Sequence, residues 1–200
     1  MDKPLCDGTV VWTGDNPGIY LREAADKPFL SLALHFRVVT SPRGRGRAAL
    51  VIGEPDATAP SAVNVCVTDN ETMMRWMVEE FVNSFGAFKG LPGMRSLRYE
   101  PLVRAATDGD GIAFHQETLA GLQTELVLRW ETLSAPFAAD VPPKLSATGR
   151  HRMLSVFQEA SYGTIGVNGR LLPGRPMSRD FLGTRLNTAF LAFSETWIAP

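Results

Sequence analysis

The sequence predicts a mainly β fold, an antiparallel barrel carrying one amphipathic helix. Short segments of alternating or β-branched composition recur along the chain, separated by Gly, Pro, Asn and Asp turns, and that spacing suits a closed or strongly bent antiparallel sheet. Only one stretch has helical periodicity, so the crossover helices that a parallel sheet requires are missing. With 200 residues and 44% hydrophobic content, residues 1–200 suffice for one domain with its own core. Closing such a sheet leaves room for a ligand cavity.

Gly8 to Gly14 (GTVVWTG) is short, β-branched and bounded by glycine, as a strand is. In Phe29 to Val39, Leu30, Leu32, Leu34, Phe36 and Val38 alternate with Ser31, Ala33, His35 and Arg37. This period of two describes a half-buried strand and turns His35 away from the greasier face, as a surface or lumen imidazole or as one that titrates in a function. Ser41 to Arg47 is a turn broken by Pro and Gly. Its Arg43, Arg45 and Arg47 offer planar donor forks but lack the strand-to-helix cradle of a phosphate site. Ala48 to Ile52 and Ala62 to Thr68 are further strands, joined by a linker from Glu54 to Ser61.

Residues 69–85 form the helix. Met74, Met77, Val78, Phe81, Val82 and Phe85 recur at three- and four-residue spacing, and Thr68, Asp69 or Asn70 caps the start, with Thr68 and Glu71 fitting a capping box. Gly86 ends it and Gly90-Leu91-Pro92-Gly93 prevents resumption. Buried, the stripe packs on the sheet; exposed, it would dock a partner; its thioethers would also suit a pliable ligand site.

Strands resume after Met94, with Pro101 marking an edge or bulge. The Asp108-Gly109-Asp110-Gly111 turn lacks the later ligands of a calcium loop and leads into Ile112 to Thr118. From Leu122 to Leu133, the residues Leu122, Thr124, Leu126, Leu128 and Trp130 share one face. Asn168-Gly169 is the strongest hairpin signal, followed by a Gly/Pro/Arg loop that ends RDFLGTR and by an apolar closing strand.

Several classes are disfavoured. A formal net charge of −1 and a pI near 6.3 give no positive field for nucleic acid. No run approaches the roughly 20 apolar residues of a membrane-spanning helix. No charged-then-apolar leader accompanies Cys6 and Cys66, which read as free thiols of a cytoplasmic protein. Histidines without HExxH or paired-cysteine spacing predict no metal, and the absence of GxSxG, Walker-type and GxGxxG motifs predicts no cofactor.

Ionisable pairs carry what chemistry is legible. His115 and Glu117 lie two apart in a strand, so base and carboxylate emerge side by side, either as a proton-transfer pair or as a polar pair on a solvent face. On the closing strand Ala189, Leu191, Phe193, Glu195 and Trp197 share a parity, opposite Thr188, Phe190, Ala192, Ser194 and Thr196. If the first face is buried, desolvation raises the Glu195 pKa and makes it a general acid; if the second lines the interior, Glu195 is exposed.

Phe157 to Arg185 resembles the lipocalin-like family that includes hydroxyneurosporene synthase and the AttH-like proteins. Gly163, Ile165, Asn168-Gly169, Gly174, Arg179, Asp180, Gly183 and Arg185 match its pattern, while Phe181 and Leu182 stand where the family has His, Ser and Trp. The resemblance implies a lipocalin-like barrel with an interior ligand site and supplies no catalytic histidine. Function is then expected to be binding of a small, largely apolar molecule, with Phe114, Trp130, Tyr162 and Phe190 as walls and Arg179 or Arg185 anchoring an acidic group. The alternative is a proton-transfer enzyme of hydratase, cyclase or isomerase type working through His115, Glu117 or Asp180.

Overall fold

The computed structural model describes residues 7–200, so Cys6 lies outside the described residues. Strands β1 (Thr9–Asp15), β2 (Gly18–Arg22), β3 (Phe29–Thr40), β4 (Gly46–Ile52) and β5 (Asn64–Thr68) precede helix α1 (Glu71–Glu80). After it come β6 (Arg98–Pro101), β7 (Arg104–Gly109), β8 (Phe114–Ala120), β9 (Glu125–Leu133), β10 (Phe137–Val141), β11 (Arg152–Val167), β12 (Arg170–Leu171), β13 (Ser178–Phe181), β14 (Thr184–Asn187) and β15 (Ala189–Ala199). Thirteen strands make one sheet in the order β6-β5-β4-β3-β1-β15-β11-β9-β8-β7, with β2, β10 and β12 paired alongside, while β13 and β14 pair only with each other. Among the described residues every ladder is antiparallel except β5–β6. The fold is mainly β with one α-helix.

Strand β11 bends this sheet into two layers. Its first half, Arg152 to Glu159, pairs with β15, and its second half, Ala160 to Val167, pairs with β9. Opposite that bend the layers meet again through the chain itself: β6 runs into β7 by way of Leu102 and Val103, whose amides donate to Thr68 and Ala120 carbonyls at 2.8 Å each. Glu100 on β6 reinforces the corner by accepting from the Gln123 and Thr124 amides of the β8–β9 turn.

Two cores result. Between the layers, Ile19, Ala33, Ala49, Val51, Val65, Val67 and Leu191 pack against Leu119, Leu126, Leu128, Trp130 and Ile165. The expected interior is therefore filled by side chains. On the other face of β3 to β5, Leu34, Phe36, Leu50 and Cys66 are covered by Met73, Met74 and Met77 of α1 and by Phe81, and this core extends to Trp12, Phe157, Phe190 and Trp197. Coverage on both faces explains the unbroken apolar run Ala48 to Ile52, since a strand buried twice has no reason to alternate. Burial raises the free Cys66 thiol above its ordinary pKa.

Local differences from expectation have physical causes. Asn70 caps α1, its side chain accepting from the Met73 amide at 3.0 Å, because Thr68 is the last residue of β5 and donates its hydroxyl to the Arg47 carbonyl. The helix ends at Glu80, where Phe81 leaves helical geometry (φ −126°), and Val82–Ser84 continues as a 3-10 turn rather than reaching residue 85 as helix. RDFLGTR is a hairpin, with Leu182 and Gly183 taking φ 55° and 82° in its two-residue turn. Asn168-Gly169 turns β11 into β12 with φ 50° and 75°, as the sequence predicts. No helix of the described residues is long and apolar enough to cross a membrane.

The closing strand overturns its expected parity. Ser194 adopts φ 51° at a register shift between Leu154 and Val156, a bulge that adds one residue and reverses the facing of everything after it. Ala189 and Leu191 face the core between the layers, whereas Trp197 joins Phe190 and Ala192 in the helix-side core.

Candidate functional site

Because of that bulge, Glu195 and Phe190, predicted on opposite faces, line the same cavity. Its volume is about 120 Å³, and its apolar wall is formed by Tyr20 of β2, Phe85, Phe157 of β11, and Phe190 and Trp197 of β15. Asn16, Ser146, Arg179 and Glu195 are its polar and charged lining residues, beside the Tyr20 hydroxyl. Gly18 permits the tight corner beneath: a Cβ there would stand 2.6 Å from the Phe190 ring.

Glu195 is 4% exposed. Its Oε1 accepts from Trp197 Nε1 at 2.6 Å and from Asn16 Nδ2 at 3.2 Å, and Oε2 makes no hydrogen bond among the described residues. Burial pushes the carboxyl up to about 7; the two hydrogen bonds oppose that rise and the nearby Asp15 adds to it. With Oε1 committed as an acceptor, Oε2 is the oxygen left for a proton when the carboxyl is neutral. Asn16 sits at the β1–β2 corner, where its amide donates to Ala192 at 2.8 Å, and its own Oδ1 is buried without a partner.

Tyr20 stands edge-on to Phe88 and Phe190, each with ring centroids 5.6 Å away. Burial pushes its hydroxyl up to about 12, with Arg179 opposing and Glu195 reinforcing, so Tyr20 lies within electrostatic reach of both charged groups. Strand β13 delivers Arg179, whose guanidinium lies 5.4, 5.4 and 5.3 Å from the ring centroids of Tyr20, Phe181 and Phe190. Its Nε is buried without a hydrogen bond, and among the described residues it pairs with no carboxylate. Behind the cavity His151 packs on Trp197 and Phe81 and bonds Thr148 at 3.1 Å; burial holds it below the usual imidazole range.

A second ionisable cluster lies between the layers. His115 Nε2 meets Glu117 Oε1 at 3.1 Å, as their shared parity predicts, and Thr107 donates to Oε2 at 2.8 Å. Bending the sheet adds His35, with Nε2 3.8 Å from Oε2. Neither His35 nitrogen makes a hydrogen bond, and burial depresses its pKa to about 4 against the pull of Glu117. Burial raises the Glu117 pKa, but His115, His35 and Thr107 together bring it below the ordinary value. His115 rests against Trp130 and Phe193 at 5.7 and 5.9 Å, and none of the three ionisable groups lines the aromatic cavity.

Of the other predicted site residues, Arg179 and Phe190 meet in the cavity and the rest do not. Trp130 is fully buried and donates to the Gly18 carbonyl at 2.9 Å, a core role. Tyr162 is 63% exposed on the outer face of β11, and Phe114 lies beneath the Arg129 guanidinium. Asp180 is exposed and accepts from the Gly183 amide within its hairpin; Arg185, also exposed, donates to Ser178 Oγ at 3.2 Å. Asn16 and Tyr20 carry no site signal in the sequence beyond the turn at Asn16-Pro17-Gly18, and Trp197 is legible there only as a same-parity neighbour of Glu195. Among the described residues no group of three or more His, Cys, Asp or Glu side chains is placed to hold a metal ion. The chain matches no protein-family model, no curated protein and no solved structure.

Proposed function

We propose that the protein binds a small, largely apolar molecule bearing an acidic group, in the aromatic cavity between the first layer and the β13–β14 hairpin. The observation that carries this reading is Arg179, a cation held over three aromatic rings beside a cavity and paired with no carboxylate among the described residues. A partly desolvated guanidinium without an anion is costly, and a ligand carboxylate would take its donor fork in bidentate fashion. We read the two joined layers as a flattened, lipocalin-like barrel of a cytoplasmic protein, in keeping with the resemblance of Phe157 to Arg185, with its ligand site displaced from the filled interior. The test is thermal unfolding with benzoate and with benzamide: benzoate raises Tm, benzamide does not, and Arg179→Met abolishes the difference. Equal shifts from both compounds would refute an anion site.

Glu195 favours a second reading, proton transfer of the hydratase, cyclase or isomerase type. A carboxyl with a pKa near 7 and one uncommitted oxygen is suited to accept and return a proton at neutral pH. Deuterium exchange into carbon positions of a bound acid, followed by NMR, would reveal it. Exchange that persists in Glu195→Gln would exclude this carboxyl.

A further inference from the structure

We propose that two copies of the chain associate through β7, strand against strand in antiparallel register, so that a two-fold axis at Ala106 joins their sheets into one. No residue of β7 lines the aromatic cavity, so the association is independent of the ligand site.

An open strand edge presents a row of unpaired N–H and C=O groups, and proteins that keep an edge solitary interrupt it with proline, lysine or a bulge. Besides the two-residue β12, the strands of the main sheet with an open side among the described residues are β6, β7 and β10. Strand β6 contains Pro101, and β10 is bracketed by Pro136 and Pro142, so neither offers a long unbroken ladder. Strand β7 has none of these devices. Its six residues, Arg104 to Gly109, hold regular register with Ala120 to His115, contain no proline or lysine, and are exposed apart from the half-buried Ala105.

The side chains of this edge complement a second copy of themselves. Thr107 reaches inward to Glu117 at 2.8 Å, so Arg104, Ala106 and Asp108 share the outer face. Antiparallel pairing about Ala106 sets Arg104 opposite Asp108 of the second copy, twice by symmetry, with the two small Ala106 side chains meeting between these pairs. Arg104 gives Nη2 to Glu125 at 2.8 Å and keeps its other donors for that second carboxylate. A register shift of two residues one way sets Asp108 against Leu102. The same shift the other way sets Arg104 against Asp110, whose Oδ1 already accepts from the Ile112, Ala113 and Phe114 amides. A shift of one residue turns the inner face of one copy outward. Charge therefore selects the pairing about Ala106. In that register Val103, 64% exposed, falls opposite Gly109 of the second copy, beside the turn that carries its 77% exposed Ile112, and both side chains gain an apolar neighbour.

Six paired residues bury less than the roughly 800 Å² per partner of a tight complex, which sets the expected Kd on the order of 10 μM. Sedimentation velocity over a concentration series up to about 500 μM, well above that Kd, tests the pairing. The unaltered protein should pass from monomer to dimer across the series. Arg104→Asp and Asp108→Arg each set like charges opposite one another twice and should weaken the dimer by about tenfold or more. An equimolar mixture of the two variants should recover it, because each chain then meets its complement, and a folding defect is not repaired by mixing. A monomer at the highest concentration, a dimer indifferent to both substitutions, or a mixture no better than its components would overturn the proposal. Should a charge variant fail to fold, Ala106→Lys at its exposed position decides, since it sets two cations across the axis: undiminished dimer formation contradicts the pairing.

Discussion

Glu195 and Glu117 are both buried carboxyls of one sheet, the first on its helix side and the second between the layers, and the protein treats them oppositely. Glu117 stands between two imidazoles and a threonine hydroxyl, which together bring its pKa below the ordinary value. Glu195 has a tryptophan and an asparagine for donors and no cation in contact, so burial prevails and raises its pKa to about 7. One is a carboxylate whose oxygens are already committed. The other is an acid with a free oxygen at the wall of a cavity. Burial alone therefore does not distinguish the two carboxyls; unspent hydrogen-bonding capacity beside empty volume does.

The sharpest way to break this contrast is stability as a function of pH. The Glu195 pKa is raised on folding, so its contribution is fully present below about pH 4.5 and is lost as pH rises toward 7. Glu195→Gln should therefore exceed the unaltered protein in denaturant unfolding at about pH 8 by on the order of 3 kcal/mol, and match it near pH 4. No gain at pH 8 would mean that the carboxyl is not desolvated. Next in size, Arg179→Met should weaken benzoate binding by about a hundredfold, the cost of losing a charge-assisted bidentate pair. An unchanged Kd would place the anion elsewhere.

For the cluster between the layers the sign reverses. The His35 pKa is depressed on folding, so its contribution is present above about 6.5 and is lost as pH falls toward 4. His35→Leu should gain roughly 2 kcal/mol near pH 4.5, change little near pH 7.5, and leave benzoate affinity untouched. An effect on binding would join the two clusters into one site. Smallest of all, Tyr162→Ser and Asp180→Asn should each shift stability by less than about 0.5 kcal/mol and leave ligand affinity unchanged, since both side chains are exposed.

Legibility in the sequence followed the range of the interactions. Alternation in Leu126, Leu128 and Trp130, the Asn168-Gly169 turn and the methionine stripe are local patterns, and each appears in the structure where the residues predict it. The short strand Gly18–Arg22 leaves no pattern in the sequence, because both of its faces are buried and its residues do not alternate. The His115–Glu117 pair was legible as neighbours in one strand, but His35 joins it only because the sheet bends upon itself. For Glu195 the decisive event was a single extra residue at Ser194. Parity arguments propagate along a strand only until a bulge resets them, and a serine in the left-handed region announces nothing in composition. Arg179 stands out in the sequence as a candidate anchor, yet its three ring partners come from β2, β13 and β15 and no spacing rule connects them.

Both carboxyls can be followed in one experiment, a pH titration of the side-chain carboxyl carbons by NMR in protein labelled at glutamate, with Glu195→Gln and Glu117→Gln assigning the signals. The Glu195 signal should titrate near pH 7 and the Glu117 signal below the ordinary glutamate range. Added benzoate should move the Glu195 midpoint upward, because an anion in the cavity disfavours its ionisation, and leave Glu117 in place. A Glu195 midpoint near 4.5, or one indifferent to benzoate while Glu117 responds, would contradict the assignment of the aromatic cavity as the ligand site.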